Sequence, residues 1–170
     1  ISYIFVNCRY ENKSKTLDDY NPFILSKGHA CPALYAIAAC LKIISEDDIY
    51  LLRKINSKLQ GHPSVVSLPF VEASTGSLGQ GLSVGVGMAL GYKHKKIYDK
   101  NVFVMIGDGE LQEGEVWEAF MFSSNYKLNN LCVILDYNKM QSDDLNENII
   151  KLEPLKKKLE AFGWHAQEID

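Results

Sequence analysis

The chain has 170 residues, enough for one domain with a substantial core. Its 18 basic and 21 acidic residues leave a net charge of −3, which argues against a nucleic-acid surface. No apolar run is long enough to span a bilayer, and no secretory signal is visible at the start. Cys8, Cys31, Cys40 and Cys132 show no Cys-x-x-Cys spacing and read as reduced, buried thiols of a cytoplasmic protein.

Residues 1–6 are an apolar stretch that reads as the tail of an element whose beginning is missing. Residues 11–21 are polar and read as a surface loop. Phe23-Ile24-Leu25 reads as a short buried strand or extended run. Ser26-Lys27-Gly28-His29 then turns into a helix with Pro32 near its first position. Residues 33–44 are apolar nearly all round, which predicts a helix buried on most sides. Ser45 and the acids Glu46, Asp47 and Asp48 make a helix start, with Ile49, Leu52 and Ile55 following at helical spacing. Gly61-His62-Pro63 is a loop. Residues 75–91 are glycine-rich, and two four-residue series, Gly81/Gly85/Ala89 and Ser83/Gly87/Gly91, predict two small-residue helix faces that permit close approach. The glycine spacing is not the Gly-x-Gly-x-x-Gly of a dinucleotide fold.

The chemistry concentrates in residues 102–138. Two apolar, β-rich runs, 102–106 and 131–135, bracket an amphipathic segment, 113–128, and predict a strand–helix–strand unit with parallel strands. Ligands of such units sit beyond the carboxyl ends of the strands. Gly107-Asp108-Gly109 and Asn138 stand there, with the Met140 carbonyl close by. Oxygen donors of low total charge suit Mg²⁺ completed by phosphate oxygens, so the pattern points to a Mg²⁺–diphosphate site. The alternative is an ordinary turn at Gly-Asp-Gly and a plain loop residue at Asn138. Residues 139–148 read as a polar loop. Pro154 opens a helix with the stripe Leu155, Leu159, Phe162, in which Lys156-Lys157-Lys158 is a solvated face and which Gly163 ends; residues 164–169 are expected to start a third strand of this part.

Five motifs, in order, resemble the transketolase family. They are Ser26-Lys27-Gly28-His29-Ala30, Gly61-His62-Pro63, Thr75-Gly76-Ser77-Leu78-Gly79-Gln80-Gly81, the run from Gly107 to Gly114, and Ala161-Phe162-Gly163-Trp164-His165. Gly107-Asp108-Gly109 with Asn138 matches the thiamine diphosphate fingerprint, and the chain is most similar to the amino-terminal subunit of two-chain transketolases. The resemblance implies an α/β fold, a parallel sheet with helices on both faces, with residues 1–170 as one diphosphate-binding domain, incomplete at both ends. It implies thiamine diphosphate and Mg²⁺ (or Ca²⁺) as cofactors, with Asp108, Asn138 and the Met140 carbonyl on the metal. Gly76, Ser77, Leu78, Gly107 and Gly109 would contact the cofactor, His29 would lie against its diphosphate, and His62 would orient the donor sugar. Glu113 matches a glutamate that links two active sites, and equally reads as an exposed first-turn acid.

The implied reaction is transfer of a two-carbon ketol unit between sugar phosphates. In the family a second domain supplies the glutamate that activates the aminopyrimidine, and no such domain fits in 170 residues. The chain is therefore expected to be inactive alone and to need a carboxyl-terminal transketolase subunit carrying the pyrimidine domain, in a homo- or hetero-oligomer. Two alternatives stand: a non-catalytic remnant serving as an interaction domain, and deoxyxylulose phosphate synthase, which shares Gly-Asp-Gly but is disfavoured by Glu110-Leu111-Gln112-Glu113-Gly114.

Overall fold

The computed structural model describes residues 20–141 and 144–169. The first apolar run of the central unit forms β2 (Val102–Gly107) and the second forms β3 (Leu131–Asp136). They pair in parallel along their whole length, from Val102 opposite Leu131 to Gly107 opposite Asp136. The earlier run forms β1 (Phe23–Leu25), parallel to β2 on its other edge, so the sheet order is β1-β2-β3.

Strand residues alternate between faces, and both faces of this sheet are covered. Ile24, Val102, Val104 and Ile106 enter one core with Leu82, Val86, Val116 and Phe120. Phe23, Leu25, Phe103 and Met105 enter the other with Leu34, Tyr35, Leu59 and Leu68. The helices behind these cores are α1 (Cys31–Cys40), α2 (Glu46–Ile49), α3 (Gln80–His94) and α4 (Gly114–Asn125). The short α5 (Asn146–Ile149) and α6 (Leu155–Ala161) follow β3. Val102, Val104 and Ile106 are fully buried, and each such side chain contributes about 1.5–3 kcal/mol of hydrophobic stabilisation. The expected parallel α/β architecture with helices on both faces is the one observed.

Several local expectations are corrected. Helix α1 ends at Cys40, where Lys42 takes a positive φ of 57°. It buries Leu34, Tyr35, Ala38 and Ala39 but leaves Pro32, Ala33, Ala36 and Cys40 exposed, so small apolar residues do not mark burial here. Helix α2 has the expected Ser45 cap, with a reciprocal bond from Ser45 N–H to Asp48 Oδ2 at 3.1 Å. It stops after one turn. Arg53 and Asn56 both have positive φ, and Ile55 is 93% exposed, so the apolar spacing there carries no helix.

The two small-residue faces of α3 differ. A Cβ on Gly85 would lie 2.3 Å from Val104 Cγ2, and one on Gly81 2.5 Å from Ser26 Oγ, whereas Gly87 and Gly91 face open space. Only the first face is a packing face. Residues 164–169 form no strand, since they pair with none of the strands of the described residues. Cys31 is buried as expected, but Cys40 and Cys132 are exposed; all three are free thiols, and Cys8 lies outside the described residues, as do residues 1–6 and most of the 11–21 loop.

Candidate active site

The carboxyl ends of β1, β2 and β3 meet at one crevice. Asp108 follows the last residue of β2 and is 3% exposed. Its Oδ1 accepts from the Gly109 N–H at 2.9 Å, opening a 3₁₀ turn over Gly109–Gln112. Its Oδ2 accepts from the Lys139 N–H at 2.7 Å and from Asn146 Nδ2 at 2.7 Å. The bond from Lys139, next to Asn138, draws the end of β3 onto the end of β2, so Asp108 and Asn138 share the crevice.

Asn138 is exposed, and its Oδ1 accepts from the Met140 N–H at 2.9 Å, a local turn bond. Met140 is opposite Leu145 in a short antiparallel bridge. That bridge is closed by Gln141 N–H to the Asp144 carbonyl, 2.8 Å, and Asn146 N–H to the Lys139 carbonyl, 3.0 Å. Neither bond uses the Met140 carbonyl. The donor set of Asp108, Asn138 and the Met140 carbonyl is thus one carboxylate with two neutral oxygens. It suits a hard cation that arrives with an anionic ligand, because the protein supplies only one negative charge.

A second group of residues forms the other wall. Thr75 Oγ1 donates to the Leu25 carbonyl at 2.7 Å and pins the glycine loop to the end of β1. Gly76 and Gly28 touch backbone to backbone: a Cβ on Gly28 would lie 2.8 Å from Gly76 N. The His62 ring packs on Gly76, whose φ is 141°; a Cβ there would fall 2.7 Å from His62 Cγ. A side chain at Gly76 is excluded by both the conformation and the ring. His62 and Ser77 are exposed and Leu78 half-buried. His29, one residue past Gly28, stands exposed at the same wall. Partial desolvation first, and the Lys27 ammonium second, lower its pKa from the ordinary value and disfavour the imidazolium.

Three polar residues with no role in the sequence reading, two of them charged, hold these walls together. Glu110, 1% exposed, accepts from Ser26 Oγ, from the Gly79 N–H at 2.7 Å and from the Gly107 N–H at 3.2 Å. Lys27, 6% exposed, donates from Nζ to Asp136 Oδ2 at 2.6 Å and links the end of β1 to the end of β3. Asn146 reaches Asp108 from α5. Their neighbours in sequence gave some signal, since Glu110 and Lys27 lie inside the quoted motifs. Asn146 gave none. Glu113 is the exposed N-cap of α4, and its side chain caps nothing there.

The family described as "Transketolase, thiamine diphosphate binding domain" matches residues 3–170. The chain is 44% identical over 166 residues to the transketolase of Pongo abelii, covering 98% of this chain and 26% of that protein. It is 40% identical over 161 residues to the 6-deoxy-6-sulfo-D-fructose transketolase subunit SqwG of Clostridium sp. (strain MSTE9), covering 91% of this chain and 58% of that one. Among solved structures, a transketolase variant from Pichia stipitis superposes with a TM-score of 0.83 at 33% identity over 89% of this chain and 24% of that chain. The Leishmania mexicana transketolase superposes with a TM-score of 0.81 at 32% identity, over 86% of this chain and 23% of that chain. The chain spans about a quarter of the length of the full-size curated relatives it matches. With the expected strand ends, glycine wall and motif order all present in one fold, the chain belongs to the transketolase family and carries its thiamine diphosphate-binding domain.

Proposed function

We propose that this chain supplies the thiamine diphosphate- and Mg²⁺-binding half of a cytoplasmic transketolase that moves a two-carbon ketol unit between sugar phosphates. Ca²⁺ would serve the same oxygen donors. The observation that supports the reading is the junction of β2 and β3, where the Lys139 N–H bond to Asp108 ties the residue after β2 to the turn that carries Asn138 and Met140. When bound, the cofactor supplies a nucleophilic thiazolium carbon and an electron sink for cleaving the bond beside a ketose carbonyl.

The residues of this chain bind and orient. Asp108, Asn138 and the Met140 carbonyl would hold the cation. Gly107 and Gly109 would let the diphosphate approach with no side chain in the way, and His29 would hydrogen-bond near it. Gly76, Ser77 and Leu78 would flank the thiamine. His62, exposed and packed on Gly76, would orient the donor sugar. Glu113, exposed at the start of α4, is available to a second subunit. A carboxyl-terminal transketolase subunit with the pyrimidine domain completes the site. The relative with the subunit name supports this division, since this chain covers more than half of it.

The test is thermal melting with and without thiamine diphosphate, each in Mg²⁺ and in chelator. A ligand that binds only the folded form at ~100 times its Kd adds about 2.7 kcal/mol. A Mg²⁺-dependent rise in Tm that disappears in Asp108→Ala is the expected outcome. No rise, alone or with the partner subunit, would leave the chain a non-catalytic interaction domain.

A further inference from the structure

We propose that Asn146 is a positioning residue of the cation site, which fixes the Asp108 carboxylate and anchors the turn bearing Asn138 and Met140. The inference rests on the proposed cation site. Three bonds form a closed ring: Asn146 Nδ2 to Asp108 Oδ2 at 2.7 Å, Lys139 N–H to the same oxygen at 2.7 Å, and Asn146 N–H to the Lys139 carbonyl at 3.0 Å. The ring clamps the residue after β2 to the residues after β3.

It also sorts the two carboxylate oxygens. Each has two lone pairs. Both on Oδ2 are taken by N–H donors, whereas among the described residues Oδ1 accepts only from Gly109 N–H. Oδ1 is therefore the oxygen left open to a cation, and it is Asn146 that closes the other.

The amide is held there at a cost. Asn146 is 5% exposed, and its Oδ1 has no hydrogen-bond partner among the described residues. A buried acceptor left without a partner keeps its full desolvation penalty. Packing alone would be served more cheaply by an apolar side chain of similar volume, so the donor to Asp108 is what the position uses. Removing a residue that orients a metal ligand typically lowers metal affinity 10–100-fold.

The experiment titrates Mn²⁺ into the purified chain with thiamine diphosphate present and reads free Mn²⁺ by electron paramagnetic resonance. Wild type, Asn146→Leu, Asn146→Ala and Asp108→Ala are compared well below every melting temperature, and metal-free melts are recorded beside them. The expected result is Mn²⁺ binding about tenfold weaker or more in the Leu variant, with a metal-free Tm equal to or above wild type because the unpaired oxygen is gone. If the Leu variant does not fold, the Ala variant carries the affinity comparison. Unchanged affinity in the Asn146 variants, with binding abolished in Asp108→Ala, overturns the inference and leaves the cation site standing. A fall in affinity only together with a lowered metal-free Tm in the Leu variant marks a structural residue and also overturns it. Wild-type protein that binds no Mn²⁺, alone or mixed with a carboxyl-terminal transketolase subunit, overturns both the inference and the site.

Discussion

Glu110 has no proposed contact with substrate, yet it decides the shape of the crevice. One carboxylate gathers the Ser26 hydroxyl, the Gly79 N–H and the Gly107 N–H, which belong to the end of β1, the start of α3 and the end of β2. Charge-assisted bonds of this kind are stronger than neutral ones. In a site with 1% exposure, water cannot readily replace them. Glu110→Ala leaves two backbone N–H groups without their acceptor, and is expected to lower unfolding stability by about 2–4 kcal/mol. Urea unfolding measures it, and Glu110→Gln, which keeps an acceptor oxygen, should lose less. The Lys27–Asp136 bond works in the same way between β1 and β3, with the Lys27 end buried and the Asp136 end half-exposed.

Among the elements, α3 shows how much a single face matters. Its buried glycine series lets the helix lie close against β1 and β2, and Gly85 sits where any Cβ would strike Val104. Gly85→Ala is expected to destabilise by about 1–3 kcal/mol through overpacking. Gly87, two residues on, meets nothing within 4 Å, so Gly87→Ala should stabilise by about 0.5–1 kcal/mol through helix propensity alone. Opposite signs from two substitutions in one helix, read by chemical denaturation, check the packing directly. Helix α4 begins at Gly114 and not at Glu113, because the 3₁₀ turn over Gly109–Gln112 uses the intervening residues and sets Glu110 against the ends of β1 and β2. The site therefore occupies residues that a simple strand–helix reading assigns to the connection.

At the scale of the molecule, the three strands and two cores of the described residues place the proposed cation donors and the histidine–glycine wall at the carboxyl edge of the sheet. The proposed reaction needs a group to activate the aminopyrimidine, which the family supplies from a second domain. The purified chain is expected to show no ketol transfer alone and to gain it when mixed with a carboxyl-terminal transketolase subunit. A coupled assay of aldose-dependent ketose cleavage checks this. Steady turnover by the chain alone would sink the two-subunit reading.

The strands and the parallel unit were legible because short β-rich apolar runs bounded by glycine and aspartate have one economical use, a sheet buried on both faces. The edge of the sheet that carries Asp108 was legible for the same reason, since Asp108 directly follows β2; the turn carrying Asn138 is held by the bonds of Lys139 and Asn146 to Asp108. Gly-x-x-x-Gly spacing identified a close-packed helix but could not tell its buried face from its open one, because that depends on where Val104 and Ser26 lie. The apolar spacing of Ile49, Leu52 and Ile55 misled, since the backbone turns through positive φ at Arg53 and Asn56 instead of continuing the helix. The roles of Glu110, Lys27 and Asn146 were decided only in three dimensions. Glu110 and Ser26 are 84 positions apart, Lys27 and Asp136 109, and Asn146 and Asp108 38. Local pattern names the residue that carries a charge; only the folded chain brings it the partner that gives the charge a purpose.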